Sequence, residues 1–309
     1  MGRKLELALG VLNGAIGDHL ARTGNGLATD LTLVHEGRPL PLSRLRDVLP
    51  APSPRVVVLL HGLMCTEDIW RFPSGDDYGA LLARDFGFTP LYVRYNTGLA
   101  IPDSGRALSR LLDGLVEQYP GPLEEILPLG FSMGGLVARS AVHFASLEDN
   151  GWLARVRRAI YVGTPHRGAP LERAGRVLTG LLARIPDPYV KLVGEIGDLR
   201  SAGIKDLGNA DLRHEDRSAR DTFLADPHHP VPLLPSIRHY LVAGSLSREP
   251  WLTEIFGDTM VPISSGTNGH HAGPRALPPG NVKVLPGLSH MDVAHHPEVY
   301  AQLKEWLTE

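Results

Sequence analysis

The run Leu129-Gly130-Phe131-Ser132-Met133-Gly134-Gly135 constrains this chain more than any other stretch. Ile126, Leu127 and Leu129 lead into it, and Leu136, Val137, Ala138, Ala141 and Val142 follow, so it reads as strand, tight turn and helix. In that setting Gly-x-Ser-x-Gly is the pattern of a nucleophile elbow, a serine mounted on a sharp strand-to-helix turn. Gly130 and Gly134 meet the demand of such a turn for close backbone approach, which a Cβ would block. The serine hydroxyl is then held clear of the sheet at the positive end of the following helix, where a developing oxyanion is stabilised.

The rest of the chain supplies the frame such an elbow needs. Arg55 to Leu60 is a continuous apolar run of strand length, as expected of a strand buried on both faces. Beyond it the pattern alternates: a helix over 78–86, a strand over 90–95, an amphipathic helix over 104–119, a strand over 125–130, a helix over 133–146 and a strand over 156–163. Strand and helix in turn at these spacings predict an α/β fold with a mostly parallel central sheet and helices on both faces. Residues 1–54 read as an N-terminal helix, with Gly10, Gly14 and Gly17 on one side for close packing, followed by a short hairpin near 31–42. Pro39 and Pro41 confine the second arm of that hairpin to a sheet edge. The core is expected over 55–170 and 237–309, and 171–236 is too long for a plain connection and reads as an inserted helical cap or lid. The sheet resumes over 237–243 and 282–285, and a last helix runs from Pro297 to Trp306.

A serine hydroxyl needs a base, and a histidine base needs an acid to orient it. Among 14 histidines, His290 sits in the loop between the last expected strand and the last helix, where a base would face Ser132 across the strand ends. Asp258, after the turn-former Gly257, is the candidate acid, in preference to Glu254 on a short helical pattern. Two backbone donors are needed for the oxyanion: the Met133 amide directly after the serine, and the Leu63 amide in the loop after the first long strand. His61 is read as a prop for that loop. Met64, Trp70 and Phe131 lie near the expected site and, with the Leu-rich cap, suggest an apolar acyl pocket.

These pieces together resemble α/β-hydrolase-fold lipases and esterases, in particular the group containing bacterial triacylglycerol lipases, lecithin–cholesterol acyltransferase and GPI inositol-deacylases. The matching stretches are Leu60-His61-Gly62-Leu63, Gly130 to Gly135, Gly163-Thr164-Pro165-His166-Arg167-Gly168, Gly257 to Pro262, and Ser289-His290. The resemblance implies an α/β-hydrolase fold and a triad of Ser132, Asp258 and His290, in agreement with the positional argument. It implies a serine carboxylic-ester hydrolase working through an acyl-Ser132 intermediate on a small-molecule or lipid ester. An acyltransferase using the same triad, and a non-catalytic binding protein on the same fold, are the alternative readings.

Composition narrows the classes further. Net charge of −3 without a basic run argues against a nucleic-acid partner, and no apolar stretch long enough for a membrane span occurs. The single cysteine, Cys65, excludes an intramolecular disulfide and fits a reducing compartment. Glu6 and Asp18 interrupt the N-terminal apolar pattern, so no signal peptide is recognised and a cytoplasmic location is expected. No cofactor or metal is expected. The pairs His228/His229, His270/His271 and His295/His296 lack convergent ligand spacing, and Asp292, two residues after His290, is read as a loop-stabilising carboxylate.

Overall fold

The computed structural model describes residues 3–166, 201–218, 231, 233–245 and 277–309. Helix α1 (Arg3–Arg22) opens the chain with a kink at Ile16, and the hairpin β1 (Thr32–His35) and β2 (Arg38–Leu40) follows. A short helix α2 (Leu45–Val48) leads to β3 (Arg55–Leu60). Next come α3 (Tyr78–Phe86), β4 (Thr89–Arg94), α4 (Ile101–Gln118), β5 (Glu125–Phe131), α5 (Met133–Glu148) and β6 (Arg158–Val162). Two helices, α6 (Ala202–Asn209) and α7 (His214–Ser218), precede β7 (Arg238–Ser245), β8 (Val282–Pro286) and α8 (Pro297–Thr308).

The strands form one sheet of eight in the order β2-β1-β4-β3-β5-β6-β7-β8. From β4 across to β8 every neighbour is parallel, and β1 runs antiparallel to both β2 and β4. The proline-bearing β2 lies at the edge, where a missing ladder donor does no harm. Along β3, Val56, Val58 and Leu60 face one apolar layer with α1, α4 and α5, and Val57 and Leu59 face the other with α3 and α8. A strand buried on both faces has to be apolar at every position, which is why β3 and β5 read as unbroken runs.

The expected elements are present with boundary shifts that have physical causes. Helix α4 begins at Ile101, three residues before the expected start, because Asp206 Oδ2 on α6 accepts the Ile101 amide at 2.9 Å. That cap comes from 105 residues away in the chain, so no local pattern announces it. The cap expected over 171–236 lies largely outside the described residues. Its described part includes α6, which packs against α1 and α4.

Helix α8 closes the second layer and anchors the end of the chain that carries His290. Trp306 is 1% exposed, stacks on Tyr240 at 4.9 Å between centroids, and donates its indole N–H to Gly280 O at 2.8 Å. Trp306→Ala is expected to lower unfolding free energy by about 3–5 kcal/mol, read from the urea midpoint at unchanged slope. A loss below about 1 kcal/mol would show that this ring does not anchor α8.

Candidate functional site

Strand register brings the catalytic-looking loops to one end of the sheet. Leu60 at the end of β3 is level with Gly130 in β5, and Phe131 is level with Val162 in β6. Immediately beyond, Ser132 turns the chain with φ 53° and ψ −124°, a conformation ordinarily left to glycine. The turn is held from several sides. The Ser132 amide donates to Val162 O at 2.8 Å, and a Cβ on Gly130 would lie 2.5 Å from the Gly135 backbone. A Cβ on Gly134 would lie 2.5 Å from the carbonyl oxygens of Leu60 and His61. Backbone strain of this kind costs about 1–3 kcal/mol and persists only where the surroundings enforce it.

The loop after β8 crosses the strand ends to reach the elbow. His290 Nε2 lies 2.9 Å from Ser132 Oγ, across 158 residues of sequence. This is hydrogen-bond distance for a hydroxyl donating to a neutral imidazole. Gly163, at φ 58°, gives the ring room: a Cβ there would sit 3.3 Å from His290 Cε1. The loop is pinned by Asp292, whose carboxylate accepts from the Ser289 amide at 3.2 Å and from the Ser289 hydroxyl, so its charged form is favoured. Phe131 flanks the His290 ring at 5.1 Å between centroids.

The loop 61–66 forms the third side. A Cβ on Gly62 would be 3.0 Å from Ser132 Cβ, so this loop lies directly against the serine. Its amides are partly committed. Met64 N–H goes to Thr97 Oγ1 at 3.1 Å and Cys65 N–H to Gly62 O at 3.2 Å. Met64 has φ 59°, so the turn is tightly specified. Met133 occupies the first position of α5, where amides lack intrahelical acceptors. Trp70, Met64 and Phe131, expected in an acyl pocket, are 0%, 2% and 1% exposed: Trp70 packs edge-on against Tyr78 and Phe131, and Met64 is turned against α1. Phe131 lies beside the His290 ring. Asp258 lies outside the described residues, as do Glu254 and the pairs His228/His229 and His270/His271.

A serine in glycine-like geometry, an imidazole at hydrogen-bond distance and a loop packed against the serine occur here at the carboxyl ends of a parallel sheet. The family model described as the alpha/beta hydrolase family matches residues 57–303. The chain belongs to the alpha/beta hydrolase family. No match is found among the curated proteins. Among solved structures, the mature form of Bacillus licheniformis lipase BlEst2 is similar over 90% of this chain and 97% of that one, at 16% identity and a TM-score of 0.51. MGS-MChE2, an alpha/beta hydrolase enzyme from the metagenome of lagoon sediments at Mar Chica, Morocco, is 18% identical over 83% of this chain and 92% of its own, with a TM-score of 0.46. At these identities the likeness is one of fold.

Several features of this alpha/beta hydrolase were not legible in its sequence. Thr97, Asn96 and Tyr95 follow β4 and carry no motif, yet Tyr95 donates its hydroxyl to His61 O at 2.8 Å and stacks on the His61 ring. Behind the elbow, Arg139 of α5 is buried with its guanidinium 2.6 Å from His166 Nδ1 and 2.6 Å from Val231 O. Tyr161 sits between His166 and His239, its hydroxyl 3.1 Å from His239 Nδ1. Among the described residues, no cluster of three or more His, Cys, Asp or Glu is placed to hold a metal ion, and no helix is long and apolar enough to cross a membrane.

Burial sets the charge of three of these imidazoles. Desolvation pulls His61 and His239 down to about 4, and desolvation with the neighbouring Arg139 takes His166 well below its ordinary value. All three are therefore neutral in the fold, while unfolded imidazoles take up protons near 6.5. The unfolded state binds more protons between those values, so folded stability falls as pH drops from about 6.5 to about 4. In urea denaturation across that window, His61→Gln is expected to show a shallower pH dependence than the parent, and an identical slope would contradict a buried neutral His61. The elbow makes a second prediction. Ser132→Gly and Ser132→Ala both remove the hydroxyl, but only glycine relieves the backbone, so the glycine variant should be more stable by about 1 kcal/mol. Equal midpoints would show that the strain stored in the turn does not exceed the unfolded-state entropy that glycine adds, about 0.4–1 kcal/mol.

Proposed function

We propose that the protein is a serine carboxylic-ester hydrolase of the esterase or lipase type. The single observation that supports this most is the 2.9 Å approach of His290 Nε2 to Ser132 Oγ at an elbow whose geometry presents the hydroxyl. In the proposed cycle, Ser132 Oγ attacks the ester carbonyl carbon as His290 Nε2 takes the hydroxyl proton. The carbonyl oxygen, now an oxyanion, is stabilised by the amides of Leu63 and Met133. Collapse of the tetrahedral intermediate breaks the bond to the alcohol oxygen, which leaves with the proton from His290. Water then attacks the acyl-Ser132 carbonyl, again giving a proton to His290, and the carboxylic acid departs as the serine regains its hydrogen.

Asp258 is assigned as the carboxylate that orients His290 and stabilises its imidazolium, on the strength of its place in the Gly257-Asp258-Thr259-Met260-Val261-Pro262 segment. Residues 171–236 are assigned as the cap, with α6 its foot on α1 and α4. Phe131, apolar and adjacent to the imidazole, is assigned with Met64 and Trp70 to the apolar wall of the acyl site.

Ser132→Ala is expected to lower kcat on p-nitrophenyl esters by at least about 10³-fold and to abolish covalent labelling by a fluorophosphonate, with the urea midpoint retained. An alanine variant that still turns over at the parent rate would end the acyl-serine mechanism. A parent chain that neither hydrolyses esters nor takes up the probe would end the enzymatic reading.

A further inference from the structure

We propose that helix α1 positions the loop carrying the Leu63 amide, and that Gly14 on α1 and Thr97 beyond β4 together grip that loop at Met64. The inference rests on the reading of Leu63 as an oxyanion donor and assigns a function in catalysis to a helix that lies outside the matched family segment, 57–303.

Gly10, Gly14 and Gly17 recur at intervals of four and three, which places them on one face of a helix. That face lies against the site. A Cβ on Gly10 would be 3.0 Å from Thr66 Cγ2 and 3.1 Å from Cys65 O. A Cβ on Gly14 would overlap Met64 Cγ and sit 3.0 Å from the Met64 amide nitrogen, and one on Gly17 would overlap the Asn96 side chain. The glycine stripe thus has a specific target: residues 64–66 and the turn after β4.

The same turn also holds the loop directly. Thr97 Oγ1 accepts the Met64 N–H at 3.1 Å, and Thr97 is 1% exposed, so no water replaces it readily. Asn96 Nδ2 donates to Gly17 O at 2.8 Å, which ties the turn back to α1. Helix α6 braces the assembly: Ser201 Oγ donates to Gly14 O at 2.7 Å, the Ala202 amide to Asp18 Oδ2 at 3.0 Å, and the Gly203 amide to Gly98 O at 3.0 Å. Arg94 adds an ion pair to Glu67 and lies 3.6 Å from Glu6 of α1.

The loop needs this support because its own sequence does not favour its shape. Met64 stands at φ 59° in the third position of the turn closed by Cys65 N–H and Gly62 O, a position that glycine normally fills. Left to itself, the peptide between Leu63 and Met64 would relax toward a conformation with negative φ. The Leu63 amide one bond earlier would then move relative to Ser132, against which Gly62 is packed. An oxyanion donor works only within a few tenths of an ångström of its place, so this displacement would reduce transition-state stabilisation rather than substrate binding.

The test compares the full-length parent with Gly14→Ala, Thr97→Val and Thr97→Ser on a p-nitrophenyl ester. Each rate is divided by the concentration of active sites titrated with a fluorophosphonate, which removes the effect of misfolded protein. Gly14→Ala and Thr97→Val are expected to lower kcat per titrated site about tenfold or more with KM changed less than about threefold. Both should weaken an alkylboronic acid, which forms a tetrahedral adduct, by a similar factor. Thr97→Ser keeps the acceptor oxygen and is expected to restore kcat. If Gly14→Ala does not fold, the valine and serine pair decides alone. Parent-like kcat per site in Thr97→Val, or equal defects in the valine and serine variants, would overturn the positioning role while leaving the hydrolase reading intact. A parent without ester hydrolysis or probe uptake would overturn both.

Discussion

Everything at the candidate site depends on how closely bare backbone can approach bare backbone at the carboxyl ends of β3, β5 and β6. Gly134 lies against the carbonyls of Leu60 and His61, Gly130 against Gly135, and Gly62 against Ser132. Each contact occupies the space a methyl group would need. The parallel register then does the rest, because Leu60, Phe131 and Val162 end their strands within about one residue of the same level and their loops must share the same rim. The arrangement is a steric solution before it is a chemical one, and the chemistry uses the exposed hydroxyl that the steric solution leaves behind.

A second theme is backbone strain that tertiary contacts enforce. Ser132 and Met64 both carry positive φ although neither is glycine. The first is held by Val162 O and the glycines of the elbow, the second by Thr97 Oγ1 and the glycine face of α1. A relaxed chain would lose both shapes, so the rigid sheet and the N-terminal helix are what preorganise this end of the molecule.

The sequence was most informative where a physical requirement acts over a few neighbouring residues. Gly-x-Ser-x-Gly between two apolar runs needs only local packing to be read, and β3 and β5 announce double burial by their unbroken apolar character. The edge position of β2 followed from Pro39 and Pro41. Ser132 and His290 were paired by the place of His290 between the last strand and the last helix, and the fold sets them 2.9 Å apart. Thr97 was silent because a buried threonine accepting one amide looks like any threonine in a loop. The start of α4 was misplaced because its cap, Asp206, is remote in the chain. Met64, Trp70 and Phe131, grouped near the site by their place in the sequence, are all buried, Met64 against α1 and Trp70 edge-on to Tyr78 and Phe131, and closeness along a chain does not say which way a side chain turns.

By itself, then, the sequence determined the alternation that makes a parallel sheet, the serine turn, and the face of α1 that would seek a close neighbour. These are properties of residue type at fixed short spacing, and spacing of 2, 3.6 or a five-residue motif survives without any knowledge of the fold. Only the tertiary structure decided what α1 packs on, which amide acceptor holds Met64, and which histidines are kept neutral by burial. Those outcomes join residues that are 33, 50 or more positions apart, such as Met64 with Thr97 and Gly14 with Met64. Their partners are chosen by the crossing of loops over strand ends, and no local periodicity encodes that choice.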